Sequence, residues 1–141
     1  MEIAIIADDN KKELITQFCI AYSGILSKHH LCATHTTGKC ISDAADLEIE
    51  TMLPDDAGTE QIASRISYNE IDLVFFFRNT DPAKTTPEAE ESLLRLCDVY
   101  NIPVATNLAS AEVLVTAIES GMLDWRNLVN PKSEYNAKRR K

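Results

Sequence analysis

Ile71-Asp72-Leu73-Val74-Phe75-Phe76-Phe77 is the strongest strand signal in the chain, and it constrains how everything else must be arranged. Its hydrophobicity is nearly uniform and its residues are β-branched or aromatic, as in a strand buried on both faces at the centre of a parallel sheet. Ile3-Ala4-Ile5-Ile6-Ala7 is a second run of this kind, stopped by Asp8-Asp9-Asn10. Residues 31–34 and 102–107 read as further strands, and 47–52 alternates as a half-exposed edge strand. Helical spacing fills the intervals. Over 11–22 it brings Leu14, Ile15, Phe18, Cys19 and Tyr22 to one face; over 39–45, Cys40, Ile41 and Ala44; over 59–68, Ile62, Ala63 and Ile66. Helices are also expected over 88–99 and 109–120, and 54–58 reads as a loop. Strands alternating with helices imply an α/β fold of three layers, a mainly parallel five-stranded sheet flanked by helices. One domain is expected over 1–128, with a tail over 129–141.

The chain has 141 residues, enough for one well-buried core and too few for two ordinary ones. Fourteen basic against 22 acidic residues give a net charge of −8, which argues against a nucleic-acid surface. The one basic run, Lys138-Arg139-Arg140-Lys141, reads as a solvated tail. No apolar run reaches membrane-spanning length and the first residues lack the pattern of a signal peptide, so a cytoplasmic protein without membrane contact is expected. Cys19, Cys32, Cys40 and Cys97 show no paired spacing and are expected as reduced, buried thiols. His29, His30 and His35 cluster in sequence, but no acidic or thiol partner sits at metal spacing; neither a metal nor a cofactor is expected.

In a parallel sheet, ligands bind beyond the carboxyl ends of the strands. The segments that reach this edge are Asp8-Asp9, 34–38, 54–59, 78–86 and Thr106-Asn107, most of them rich in hydroxyls, amides or glycine. Ala33-Thr34-His35-Thr36-Thr37-Gly38-Lys39 stands out among them. It offers three threonine hydroxyls in four positions, closed by one of only four glycines. Hydroxyls and unpaired backbone N–H groups together suit a phosphate or carboxylate. The plain alternative is a strand-to-helix turn capped by threonine.

ATHTTGK over 33–39, IDLVFFFRN over 71–79 and LLRLCDVYNIPVATN over 93–107 resemble the methylglyoxal synthase family, with matching strand starts and helix positions from about Ile3 to the last helix. The same fold, the MGS-like domain, also serves as the allosteric domain of carbamoyl phosphate synthetase and as part of inosinate cyclohydrolase. The resemblance implies a dihydroxyacetone phosphate substrate, from which a carboxylate removes a proton before phosphate leaves. It implies phosphate binding by Lys12, Thr34, Thr36, Thr37 and Gly38, and a substrate pocket containing His35, Gly58, Thr59 and Asn79. Homo-oligomeric assembly, a hexamer, follows from the same resemblance.

Several positions depart from the family pattern. His35 stands where the family has glycine, Asp8-Asp9 where it has His-Asp, and Ala57-Gly58-Thr59 where it has Gly-Gly-Asp, whose aspartate is the expected base. Asn79 replaces an aspartate, and Thr85 or Thr86 a histidine. An ordinary hydroxyl is far too weak a base to take a proton from carbon beside a ketone. These losses favour a protein that binds inorganic phosphate or a small phosphorylated metabolite of the dihydroxyacetone phosphate class over one that turns it over. Asp8, Asp9, Asp56 and Glu60 are the remaining carboxylates that could act in catalysis. Two other readings stay open: an active methylglyoxal synthase with a relocated base such as Asp56 or Glu60, and a receiver-like signalling or subunit-interaction module.

Overall fold

The computed structural model describes residues 1–139. The chain runs through β1 (Glu2–Ala7), a 3₁₀ turn (Asp9–Lys11), α1 (Lys12–Ala21), α2 (Ser23–Leu26), β2 (His30–Ala33), α3 (His35–Ala45) and β3 (Ile49–Thr51). It continues through α4 (Asp55–Ser67), β4 (Leu73–Phe77), α5 (Glu88–Tyr100), β5 (Val104–Ala105), α6 (Leu108–Glu119), α7 (Arg126–Val129) and α8 (Glu134–Arg139). The five strands form one sheet in the order β3-β2-β1-β4-β5, and every pairing is parallel.

Alternation along the central strands builds two cores. Ile3, Ile5, Leu73, Phe75 and Phe77 point to the face covered by α1, α3 and α6, where they meet Ile15, Phe18, Ile41 and Val115. Ala4, Ile6, Val74 and Phe76 point to the other face and meet Ile62 and Ile66 of α4 and Leu93 and Cys97 of α5. With both faces of β1 and β4 buried, the period-2 signal vanishes and the sequence shows only apolar runs. Strand order reverses between β1 and β4, so this topology opens its crevice at the carboxyl ends there.

Three local expectations are corrected. The threonine stretch is helical from His35, not from residue 39, because Thr34 takes the extended N-cap conformation (φ −60°, ψ 154°) and Thr37, Gly38, Ile41 and Ala45 form a buried stripe. Ala45 is inward in place of Ala44, which is exposed. Gly38 is therefore a packing position: a Cβ there would lie 2.8 Å from Thr51 Cγ2 on β3. Residues 55–58, expected as loop, form the first turn of α4. The third correction concerns the segment past Leu128. Asn130 is buried, α8 follows, and Asn136 Nδ2 donates to the Asn130 carbonyl at 2.6 Å. The basic run begins in α8, and its last two residues lie outside the described range.

Cys19, Cys32 and Cys97 are buried free thiols, which burial pushes up to about 12, and Cys40 is half-buried. The histidines do not converge. His29 Nδ1 lies 3.0 Å from the Met1 amine, and His30 sits between Glu2 (2.5 Å) and Glu50 (3.5 Å). His35 is exposed on α3. Among the described residues no group of three or more histidine, cysteine or acidic side chains is arranged to hold a metal ion.

Candidate functional site

A cavity of about 220 Å³ opens at the carboxyl ends of β1 and β2. It is smaller than the roughly 300–1,000 Å³ typical of drug-sized ligands and so suits a small metabolite. Three larger hollows lie elsewhere: about 440 Å³ at the amino ends of β2 and β3, about 270 Å³ among Glu2, His30, Glu50, Arg65, Glu70 and Lys132, and about 470 Å³ along an apolar groove between β5 and α6. None of the three joins a lysine to threonine hydroxyls at an uncapped helix start, as the smaller cavity does.

Each wall comes from a different element. After β1 the chain turns sharply at Asp8, whose N–H donates to the Phe77 carbonyl (2.8 Å) and whose carboxylate accepts from the Asn10 N–H (3.0 Å). That turn launches α1 and directs Lys12 back over the strand end, where Nζ donates to the Ala7 carbonyl (3.0 Å) and to Asp9 Oδ1 (2.7 Å). The bond from Lys12 holds the Asp9 carboxyl below its ordinary range. Thr34 and Thr36 enter from the start of α3. Gly38 N–H donates to the Thr34 carbonyl, and the Thr34 side chain makes no capping bond. The N–H groups of His35, Thr36 and Thr37 therefore have no acceptor inside the helix, and its positive dipole end faces the cavity.

Asp55, Asp56 and Thr59 come from α4. Gly58 brings that helix close: a Cβ at this position would lie 2.0 Å from the Leu53 carbonyl oxygen and 3.2 Å from the Thr34 methyl. Pro87 and Glu90 close the far side from α5. Burial, with Asp8 and Asp56 nearby, pushes the Glu90 carboxyl above its ordinary range against the opposing pull of Arg78. A second hollow of about 150 Å³ adjoins the first across Asp8, Pro87 and Glu90 and is lined by Arg78, Asn79, Lys84, Thr85 and Thr86.

The sequence candidates thus divide. Asp8, Asp9, Lys12, Thr34, Thr36, Asp56 and Thr59 meet in one cavity. Asn79 lines the adjoining hollow. Thr37, Gly38 and Gly58 are buried one layer behind, and Thr37 Oγ1 donates to the Ala7 carbonyl at 3.3 Å. His35 and Glu60 are exposed and line neither hollow. Glu90 was missed. The first turn of α5 carries Glu88, Glu90 and Glu91, a pattern that dipole compensation alone accounts for, and only the packing of α5 against α4 selects one of them for the site.

Residues 15–106 match the family model of the MGS-like domain. The chain is 53% identical to a methylglyoxal synthase of Caldicellulosiruptor saccharolyticus over 96% of its own length and 97% of that protein's. It is 47% identical to a methylglyoxal synthase of Brevibacillus brevis over 95% and 99% of the two chains. The crystal structure of methylglyoxal synthase from Elizabethkingia anophelis NUHP1 superposes with a TM-score of 0.73 at 33% identity, covering 81% of this chain and 76% of that one.

Proposed function

This chain belongs to the MGS-like domain family, and from that premise we propose that it binds a small phosphorylated metabolite of the dihydroxyacetone phosphate class and has lost the family's turnover. One observation carries the binding half: the uncapped start of α3, the Thr34 and Thr36 hydroxyls and the Lys12 ammonium line the same small cavity. Backbone N–H groups at a helix N-terminus together with an ammonium form charge-assisted hydrogen bonds to a phosphate dianion. The phosphate sits at the α3 end, and the rest of the molecule extends toward α4 and α5.

Absence of turnover rests on the side chains that face that extension. Thr59 holds the position where the family resemblance expects the base, and its hydroxyl cannot take a proton from carbon. The histidine expected to polarise the substrate oxygen is replaced by Thr85 or Thr86. Of the carboxylates that could substitute, Glu60 is exposed outside the cavity, whereas Asp56 lines it. An active synthase using Asp56 is therefore the second reading. Homo-oligomeric assembly in the cytoplasm belongs to the same proposal, by likeness to the family. Calorimetric titration with dihydroxyacetone phosphate, followed by assay of the mixture for methylglyoxal and free phosphate, tests both halves. The Thr36→Ala protein serves as control and is expected to bind about tenfold more weakly.

A further inference from the structure

At the end of the sheet opposite the cavity, four ionisable side chains form a line across four elements. Glu2, His30 and Glu50 stand two residues before Ala4, Cys32 and Met52, so all three lie on the sheet face that α4 covers. His30 Nδ1 lies 2.5 Å from Glu2 Oε2, and His30 Nε2 lies 3.5 Å from Glu50 Oε2. Glu50 in turn accepts from Arg65 of α4, through Nη2 at 2.7 Å and Nη1 at 3.2 Å. When His30 carries its second proton, negative and positive groups alternate from β1 through β2 and β3 to α4.

Both ring nitrogens of His30 face carboxylate oxygens, which only accept. An imidazolium can donate to both, whereas a neutral imidazole has a single N–H and turns a lone pair toward one of the carboxylates. Glu50 stays ionised and stays with α4: Arg65, and to a lesser degree the charge on His30, hold its carboxyl below the ordinary range against partial burial. The junction that weakens on loss of the proton is therefore the one between β2 and the unit of β3 and α4. Little else fastens that unit at this end, because β3 is a three-residue strand at the edge of the sheet. The far end of α4 carries Asp55, Asp56 and Thr59 to the cavity.

We propose that His30 is a proton-operated latch that joins the β3–α4 unit to the body of the sheet, closed with the imidazole protonated and released with it neutral. The latch goes beyond the phosphate reading and does not rest on it. Its contribution to stability is present at low pH and is lost as pH rises, the sign for a base that gains acceptors on folding. The other charged or titratable groups around His30 are Glu70 between α4 and β4, Lys132 after α7, Asp46 and Glu48 between α3 and β3, and His29 beside it in sequence. Of these only His29 is a second imidazole, and its Nδ1 faces the Met1 amine at 3.0 Å.

The latch is tested by hydrogen exchange of the β3 and α4 amides, among them the Met52 N–H that donates to the Ala33 carbonyl. Wild type and His30→Gln are compared at about pH 5.5 and about pH 8.5, between which an ordinary imidazole loses its proton while carboxylates and guanidinium keep their charge. The His30 side chain is half exposed, so its replacement leaves the core intact. At the lower pH these amides are expected to exchange about fivefold more slowly in the wild type, with those of α5 and β5 unaffected. At the higher pH the two proteins are expected to match. In a Glu50→Gln background, His30→Gln is expected to change nothing in β3 or α4 at either pH. A wild-type-to-variant ratio that is the same at both pH values, or larger at the higher one, overturns the latch. So does equal slowing throughout the chain, or a pH-dependent ratio that survives Glu50→Gln.

Discussion

Glu90 shows how a single carboxyl records the surroundings of a site. Burial disfavours its charged form, and Asp8 and Asp56 add to that effect while Arg78 opposes it. Because its proton affinity is higher folded than unfolded, its contribution to stability is fully present below the ordinary carboxylate value and is lost as pH rises through the raised folded value. Glu90→Gln removes that titration. The variant is expected to unfold at the same temperature as the wild type near pH 4 and at a higher one near pH 7, as followed by circular dichroism. A constant difference across that range would contradict the assignment. The threonines at 34, 36 and 37 stood out in sequence as hydroxyls clustered at a strand end, with helix capping as the plain alternative, whereas Lys12 entered only through the family resemblance. Glu90 did not stand out, because an acidic residue in a helix's first turn has a sufficient local explanation.

Helix starts set the site's shape, and they are where sequence reading was least sharp. A glycine within a run of threonines reads as a turn, yet Gly38 and Gly58 are both helical and both serve close approach. Their function lies in contacts with Thr51 and with the Leu53 carbonyl, which no local pattern shows. Gly58→Ala places a methyl 2.0 Å from that carbonyl oxygen and forces α4 away from Thr34. We expect a loss of about 3 kcal/mol in urea unfolding and weaker binding of phosphate esters. Unchanged stability would mean that α4 can shift without consequence. The central elements were readable for the opposite reason: Ile3–Ala7 and Leu73–Phe77 are buried on both faces, and few structures other than a central parallel strand accept such runs.

Across the whole molecule, the end of the chain is fastened to its centre by a buried ion pair. Arg126 Nε donates to Asp72 Oδ1 at 3.1 Å with both side chains almost fully enclosed, and its Nη2 donates to the Ile71 carbonyl at 2.9 Å. Asp72 also accepts from the Glu2 N–H (2.8 Å) and from Asn130 Nδ2 (3.1 Å). These contacts span more than fifty residues of sequence, so nothing near Arg126 or Asn130 announces them, and the chain from residue 129 reads as tail. Arg126→Met leaves Asp72 buried without its cation and is expected to cost about 3–5 kcal/mol, measured by equilibrium urea unfolding. A change below about 1 kcal/mol would show the pair to be ordinary surface chemistry. The proposed function, binding of a phosphate ester without turnover, is tested at this same scale. Titration of dihydroxyacetone phosphate with assay of the products does so in one mixture. Saturable heat at one molecule per chain is expected, weakened by Thr36→Ala, with methylglyoxal formed no faster than in buffer. Turnover on the order of 1 s⁻¹ or more, or no saturable binding at all, would contradict the proposed function.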